Sequence, residues 1–172
     1  MVKIAHASID ENGKIIRGKA GDQTGKELCI RRWYKKPWGV LVRFNDQKQA
    51  RKIAEFMTAA VNNDFIGYDQ GERNTLLAEC KKVNFDVSKV KTPCECDCSS
   101  LVSVACMAAG VGESYLVSNG NCKTTRTLRR ALMTTGLVTV IEDRNILDTC
   151  DSLCVGDILI SEGHHVVVVV EV

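Results

Sequence analysis

No segment of the chain limits its possible folds more than the last eight residues, HVVVVVEV (165–172). Branching at Cβ stiffens valine and favours extended backbone, and a run without polar alternation fits a strand covered on both faces. The sheet that carries it therefore needs packed layers above and below. GDILI (156–160) and LVTVI (137–141) read as further strands. At the opposite end, residues 2–9 (VKIAHASI) alternate in the manner of a strand, and ELCIRRWY and GVLVRF come after it, separated by Lys36-Pro37. Asp10-Glu11-Asn12-Gly13 has the Asn-Gly chemistry of a hairpin turn, so the chain is expected to begin with a hairpin.

Between these strands the period changes. From Asp46, a fitting cap, DQKQARKIAEFMTAAVNN sets Ala50, Ile53, Ala54, Met57 and Val61 on one helical face. A short loop with Gly67, Tyr68 and Asp69 leads to a second helix over roughly Glu72 to Lys82, and NFDVSKVKTPCEC reads as irregular around Pro93. Asp97 to Gly110 is a helix of small residues that Gly110 closes, and another runs from about Thr124 to Thr135, ending at Gly136. The sum is one α+β domain over residues 1–172 whose terminal strands meet in one sheet.

Hydrophobic residues at 45%, charged residues at 26% and a formal charge of +2 describe a folding chain without the dense basic stripe that nucleic acid requires. MVKIAHASIDENGK lacks a signal peptide's apolar core, and Val166 to Val170 is far below membrane-spanning length. Synthesis in the cytoplasm without a signal peptide, and no membrane partner, are the expectations. Nine cysteines, an odd number in a chain of this size, read mostly as reduced thiols. Cys94-x-Cys96-x-Cys98 with distant Cys150 and Cys154 does not match a common zinc spacing, so no metal is expected. A disulfide regulating Cys98 through Cys94 or Cys96 remains open.

Cys98 falls in the first turn of its helix, where free N–H groups and the macrodipole favour the thiolate. A histidine from a neighbouring strand would pair with it and later protonate a leaving amine. His165 and His164 compete for that role, and a helical cysteine taken alone is more often a packing residue.

Two segments carry more. Asp97-Cys98-Ser99-Ser100-Leu101-Val102 resembles the D-C-S-G/S-hydrophobic nucleophile motif of NlpC-type peptidoglycan peptidases, a branch of the papain-like fold related to CHAP amidases. The tail GDILISEGHHVVVVVEV resembles that family's G-D-hydrophobic strand with histidine at the head of the next, V/I-rich strand, which aligns His165 with the base. The family places its third catalytic residue one strand later. KIAHASIDENGK looks like that strand, and GKAGDQTGKELCIRRWYKKPW resembles the next segment of phage lysins.

The resemblance thus implies a circularly permuted papain-like, NlpC-type fold: an antiparallel sheet of N- and C-terminal strands packed on central helices. It implies Cys98 as nucleophile, His165 as base and His6 as the residue orienting it, with a surface strand histidine as the plainer reading of His6. Gly67-Tyr68-Asp69-Gln70 resembles a stretch of phage wall hydrolases, which would set Tyr68 near the nucleophile, although a core anchor explains it equally. Asp22, Gln23 and Thr24 would bind the stem peptide or form a solvated turn; Ser99 would assist the oxyanion; Trp33, Tyr34 and Trp38 would line a groove or pack. The implied substrate is peptidoglycan, cut within its stem peptide or at the sugar-lactyl amide, without a cofactor. A papain-like amidase or transferase on another substrate, and a catalytically silent phage structural or zinc-binding module, are the competing readings.

Overall fold

A computed structural model describes residues 1–172. In chain order the elements are β1 (Lys3–Ala7), β2 (Leu28–Arg32), β3 (Val40–Phe44), α1 (Gln47–Val61), β4 (Ile66–Tyr68), α2 (Thr75–Lys82), β5 (Cys94–Cys96) and α3 (Cys98–Ala108). Next come α4 (Glu113–Leu116), β6 (Val117–Ser118), β7 (Asn121–Cys122), α5 (Leu128–Thr134), β8 (Val138–Ile141), α6 (Arg144–Leu147), β9 (Ile158–Ser161) and β10 (His165–Glu171). The molecule is mixed α+β, and its main sheet runs β2-β1-β10-β9-β3-β8 with every neighbour antiparallel.

The first and last strands lie side by side: β10 pairs with β1, with Lys3 opposite Glu171 and Ala5 opposite Val168. Val166 to Val169 are fully buried, and each contributes about 2 kcal/mol relative to an exposed side chain. Val166 and Val168 join the large core under the helices, while Val167 and Val169 join Ile4, Trp38, Leu41 and Leu159 on the other face. The sheet is covered twice, as a valine strand of this kind requires.

The expected N-terminal hairpin forms between different residues. Asp10 does accept the turn hydrogen bond from Gly13 N–H, yet no strand comes directly after it; β1 pairs with β2 across a long loop instead. The loop is braced by carboxylates that cap backbone amides: Asp10 accepts from Asn12 and Lys14, Asp22 from Thr24, Gly25 and Glu27, and Asp69 from Gly18. Such local Asx bonding replaces the ladder that the second strand would have made.

Asp46 caps α1 by accepting from Lys48 N–H, and the face of Ala50, Ile53, Ala54 and Met57 is buried together with Phe56; Val61 is only half-buried. Helix α2 starts at Thr75, three residues later than periodicity indicates. The stretch read as irregular contains a 3-10 turn at Val87–Lys89 and the strand β5, which pairs in parallel with β4. Gly67 in β4 is required there, since a Cβ would stand 2.7 Å from the backbone of Gly21 in the long loop. No helix is long and apolar enough to cross a membrane.

Candidate active site

The cysteine helix is fixed at its first turn by a capping box. Asp97 accepts from Ser99 and Ser100 N–H at 2.9 and 2.7 Å, and Ser100 Oγ accepts from Asp97 N–H at 2.8 Å. Arg73 clamps the cap from outside, donating to Asp97 at 2.5 and 3.2 Å, to Ser99 Oγ at 2.9 Å, and to the carbonyls of Cys122 and Lys123. The box takes the N–H groups of Ser99 and Ser100, leaving that of Cys98 unclaimed by the cap.

His6 and His165 come from opposite ends of the sequence, and His6 Nδ1 lies 2.8 Å from His165 Nε2. The rings meet edge to face at 5.0 Å between centroids, and the fully buried Trp38 stacks over His165 at 6.5 Å. On its far side His6 Nε2 lies 3.2 Å from Cys29 Sγ, because His6 and Cys29 are cross-strand partners of β1 and β2. The imidazoles thus form a chain, Cys29–His6–His165, in which Nδ1 of His165 is the free end.

Cys98 faces the start of β10. By alternation the amide of Val166 points towards β1, since Val169 exchanges both its hydrogen bonds with the β9 side, and the β1 ladder stops at Ala5 and Val168. That amide is among the groups that favour the Cys98 thiolate. The helix that begins at Cys98 packs against β10, and no hydrogen bond joins the Cys98 sulfur to either ring. Val166 turns to the helix side, while the half-buried His165, first residue of β10, stacks against Trp38.

The surroundings of Cys98 work against the thiolate that a helix start favours. Burial pushes the Cys98 thiol up to about 12, and the adjacent Asp97 carboxylate adds repulsion; Val166 N–H, Arg73 and Ser99 N–H oppose this without overcoming it. Burial likewise lowers His165 to about 3, helped by His6 and Lys36, and lowers His6 to about 4, helped by Arg31 and Lys36. The resting trio is a neutral thiol and two neutral imidazoles.

Tyr68 is buried at the end of β4, where its hydroxyl accepts from Gln70 Nε2 at 3.0 Å and its acidity is suppressed by burial and by the nearby Cys98 and Asp97. Asp22 and Gln23 are committed to the long loop: Asp22 caps four amides, and Gln23 donates to the carbonyls of Ala20 and Gly21. Glu27, which the sequence did not single out, ties that loop to the site by accepting from Gln23 and Tyr68 N–H. Ser99 is buried, and its hydroxyl donates to Asp97 and accepts from Arg73. Cys94 and Cys96 are buried free thiols, and no group of His, Cys, Asp and Glu is arranged to hold a metal ion.

Cys29 was missed because its partner is set by the β1–β2 register, which the length of an irregular loop does not disclose. The same register is the only signal that would have found it.

A family model described as Endolysin-like domain matches residues 4–172. No curated protein and no solved structure matches the chain.

Proposed function

Since the chain belongs to the endolysin-like domain family, we propose that it is a cysteine hydrolase cleaving amide bonds of bacterial peptidoglycan, with Cys98 as nucleophile, His165 as base and His6 orienting it. The observation that carries the reading is the 2.8 Å contact of His6 with His165, which joins the first strand to the last beside the cysteine helix. The adjacency of β1 and β10 supports a single papain-like, NlpC-type domain with a circularly permuted chain. Release by a phage, and action on the stem peptide or the sugar-lactyl amide, are drawn from the family and from the D-C-S-S motif.

In the proposed reaction the Cys98 proton passes to His165 Nδ1 as sulfur attacks the amide carbonyl. The tetrahedral oxyanion is held by the Cys98 N–H. The imidazolium then gives its proton to the amine nitrogen, the C–N bond breaks, and a thioester remains. Water attacks it, losing its proton to His165, and the thiol is regenerated.

This sequence needs His165 to hold its resting proton on Nε2, so His6 Nδ1 must accept. His6 then carries its own proton on Nε2 and donates it to Cys29 Sγ, 3.2 Å away. Cys29 is in this reading a positioning residue.

Clearing of purified cell wall by the wild type and not by Cys98→Ala or His165→Ala is the expected result, with the variants folded by circular dichroism. One contact favours a second reading: Cys29 and His6 make the direct thiol–imidazole hydrogen bond, which would make Cys29 the nucleophile. Full clearing by Cys98→Ala, with none by Cys29→Ala, would move the assignment there.

A further inference from the structure

Between α4 and α5 lies a cleft of about 430 Å³ whose lining includes Lys123, Arg126, Arg130, Tyr115, Ser114 and Thr127 and no carboxylate. None of the three cations makes an ion pair. The carboxylates nearby are taken by others: Glu113 pairs with Lys81, and Glu142 and Glu162 with Arg129. Lys123 Nζ donates to Ser118 Oγ, a neutral partner. Arg126 and Arg130 are exposed and open to solvent, and in a chain of net charge +2 three cations in one cleft without a counter-charge concentrate positive potential there.

Both walls of the cleft are attached to the proposed catalytic elements. The Lys123 carbonyl accepts from Arg73, which clamps the cap of the Cys98 helix. The Arg126 guanidinium lies against Gly163, where a Cβ would come within 3.1 Å of it, two residues before His165. An anion seated there would be tied, through Arg73 and Gly163, to the segments that carry Cys98 and His165.

We infer that this cleft is an oxyanion-binding subsite that seats a carboxylate of the wall's stem peptide beside the scissile amide. The inference rests on the hydrolase reading for its substrate class. Paired guanidinium groups suit planar carboxylates, and the hydroxyls of Ser114, Thr127 and Tyr115 supply further donors. Phosphates of an anionic wall polymer share this chemistry, and the position next to the peptide-cleaving elements selects the peptide.

The test is binding to the full chain carrying Cys98→Ala, so that affinity is read without turnover. The probes are a synthetic stem peptide with free carboxylates, its carboxamide counterpart, and a glycerol-phosphate oligomer. The acidic peptide should bind best, and Arg126→Gln with Arg130→Gln should weaken it about fivefold, with weaker binding as salt is raised. In the active enzyme the same double variant should raise KM by a similar factor and leave kcat within about twofold. Equal binding of acid and carboxamide peptides, an unchanged affinity in the double variant, or tighter binding of the glycerol-phosphate oligomer would each overturn the assignment. Charge-dependent peptide binding by a wild type that cleaves no wall would uphold the subsite and refute the hydrolase separately.

Discussion

Replacing Glu95 by glutamine should flatten one branch of the protein's pH–stability curve. Glu95 stands on β5 opposite Gly67, is 2% exposed, and has neither carboxylate oxygen hydrogen-bonded. Burial first, and then the neighbouring Glu27, raises it from 4.5 to about 8. The folded chain therefore keeps this proton up to about pH 8, whereas the unfolded chain releases it near 4.5. The stabilisation is complete below pH 4.5 and is lost as pH rises through 8. Between pH 5 and 7 the full shift corresponds to about 2.5 kcal/mol, and with an allowance for relaxation around the carboxyl roughly 1–2 kcal/mol is expected.

Glutamine removes the titration and keeps the shape, and its amide can donate to the carboxylates around it. Urea unfolding monitored by the fluorescence of Trp33 and Trp38 should give a variant that gains roughly 1–2 kcal/mol on the wild type from pH 5 to pH 7, or about 2–8 °C in Tm. Taking the difference between the two proteins cancels the histidines, whose effect runs in the opposite direction. A difference that does not change with pH would show that Glu95 is ionised in the fold and refute the reasoning.

Three further outcomes are expected. The imidazole pair is held below its ordinary range, so in the Glu95→Gln background stability should fall as pH drops from 6.5 towards 4, by about 2 kcal/mol at pH 5 for the first imidazole to charge; replacing both His6 and His165 by glutamine should abolish this slope, and wall-clearing kcat/KM should show no limb near pH 6.5. Cys29→Ser, which keeps an acceptor for His6, should retain most activity, and Cys29→Ala should lose about tenfold in kcat; equal activity of both with wild type would remove Cys29 from the relay. Arg73→Ala should cost about 3–5 kcal/mol, because it leaves the buried Asp97 unpaired, and Arg73→Lys should recover only part of that loss since ammonium cannot reproduce the fork; calorimetry measures both.

Much of this architecture is legible before any coordinates. The valine run, the capped helix after Asp46 and the small-residue helix behind Asp97 announce themselves because period and cap agree over many residues. The ribbon of β4 and β5 does not, since IGY and CEC are three residues each and carry no period. The long loop between β1 and β2 is held by side-chain carboxylates, and an Asn-Gly turn inside it mimics a hairpin. At the site, His6, Cys98 and His165 were legible as residue types in a motif, but their protonation was not. A helix start favours a thiolate only where solvent reaches it, and burial at Cys98 outweighs the helix.

Mass spectrometry of the fragments released from purified wall bears most directly on the proposed chemistry. Wild type should generate new amine and carboxyl termini at a peptide or sugar-lactyl amide, and Cys98→Ala none. New reducing sugar ends, or the same amide fragments from Cys98→Ala, would contradict the Cys98–His165–His6 assignment.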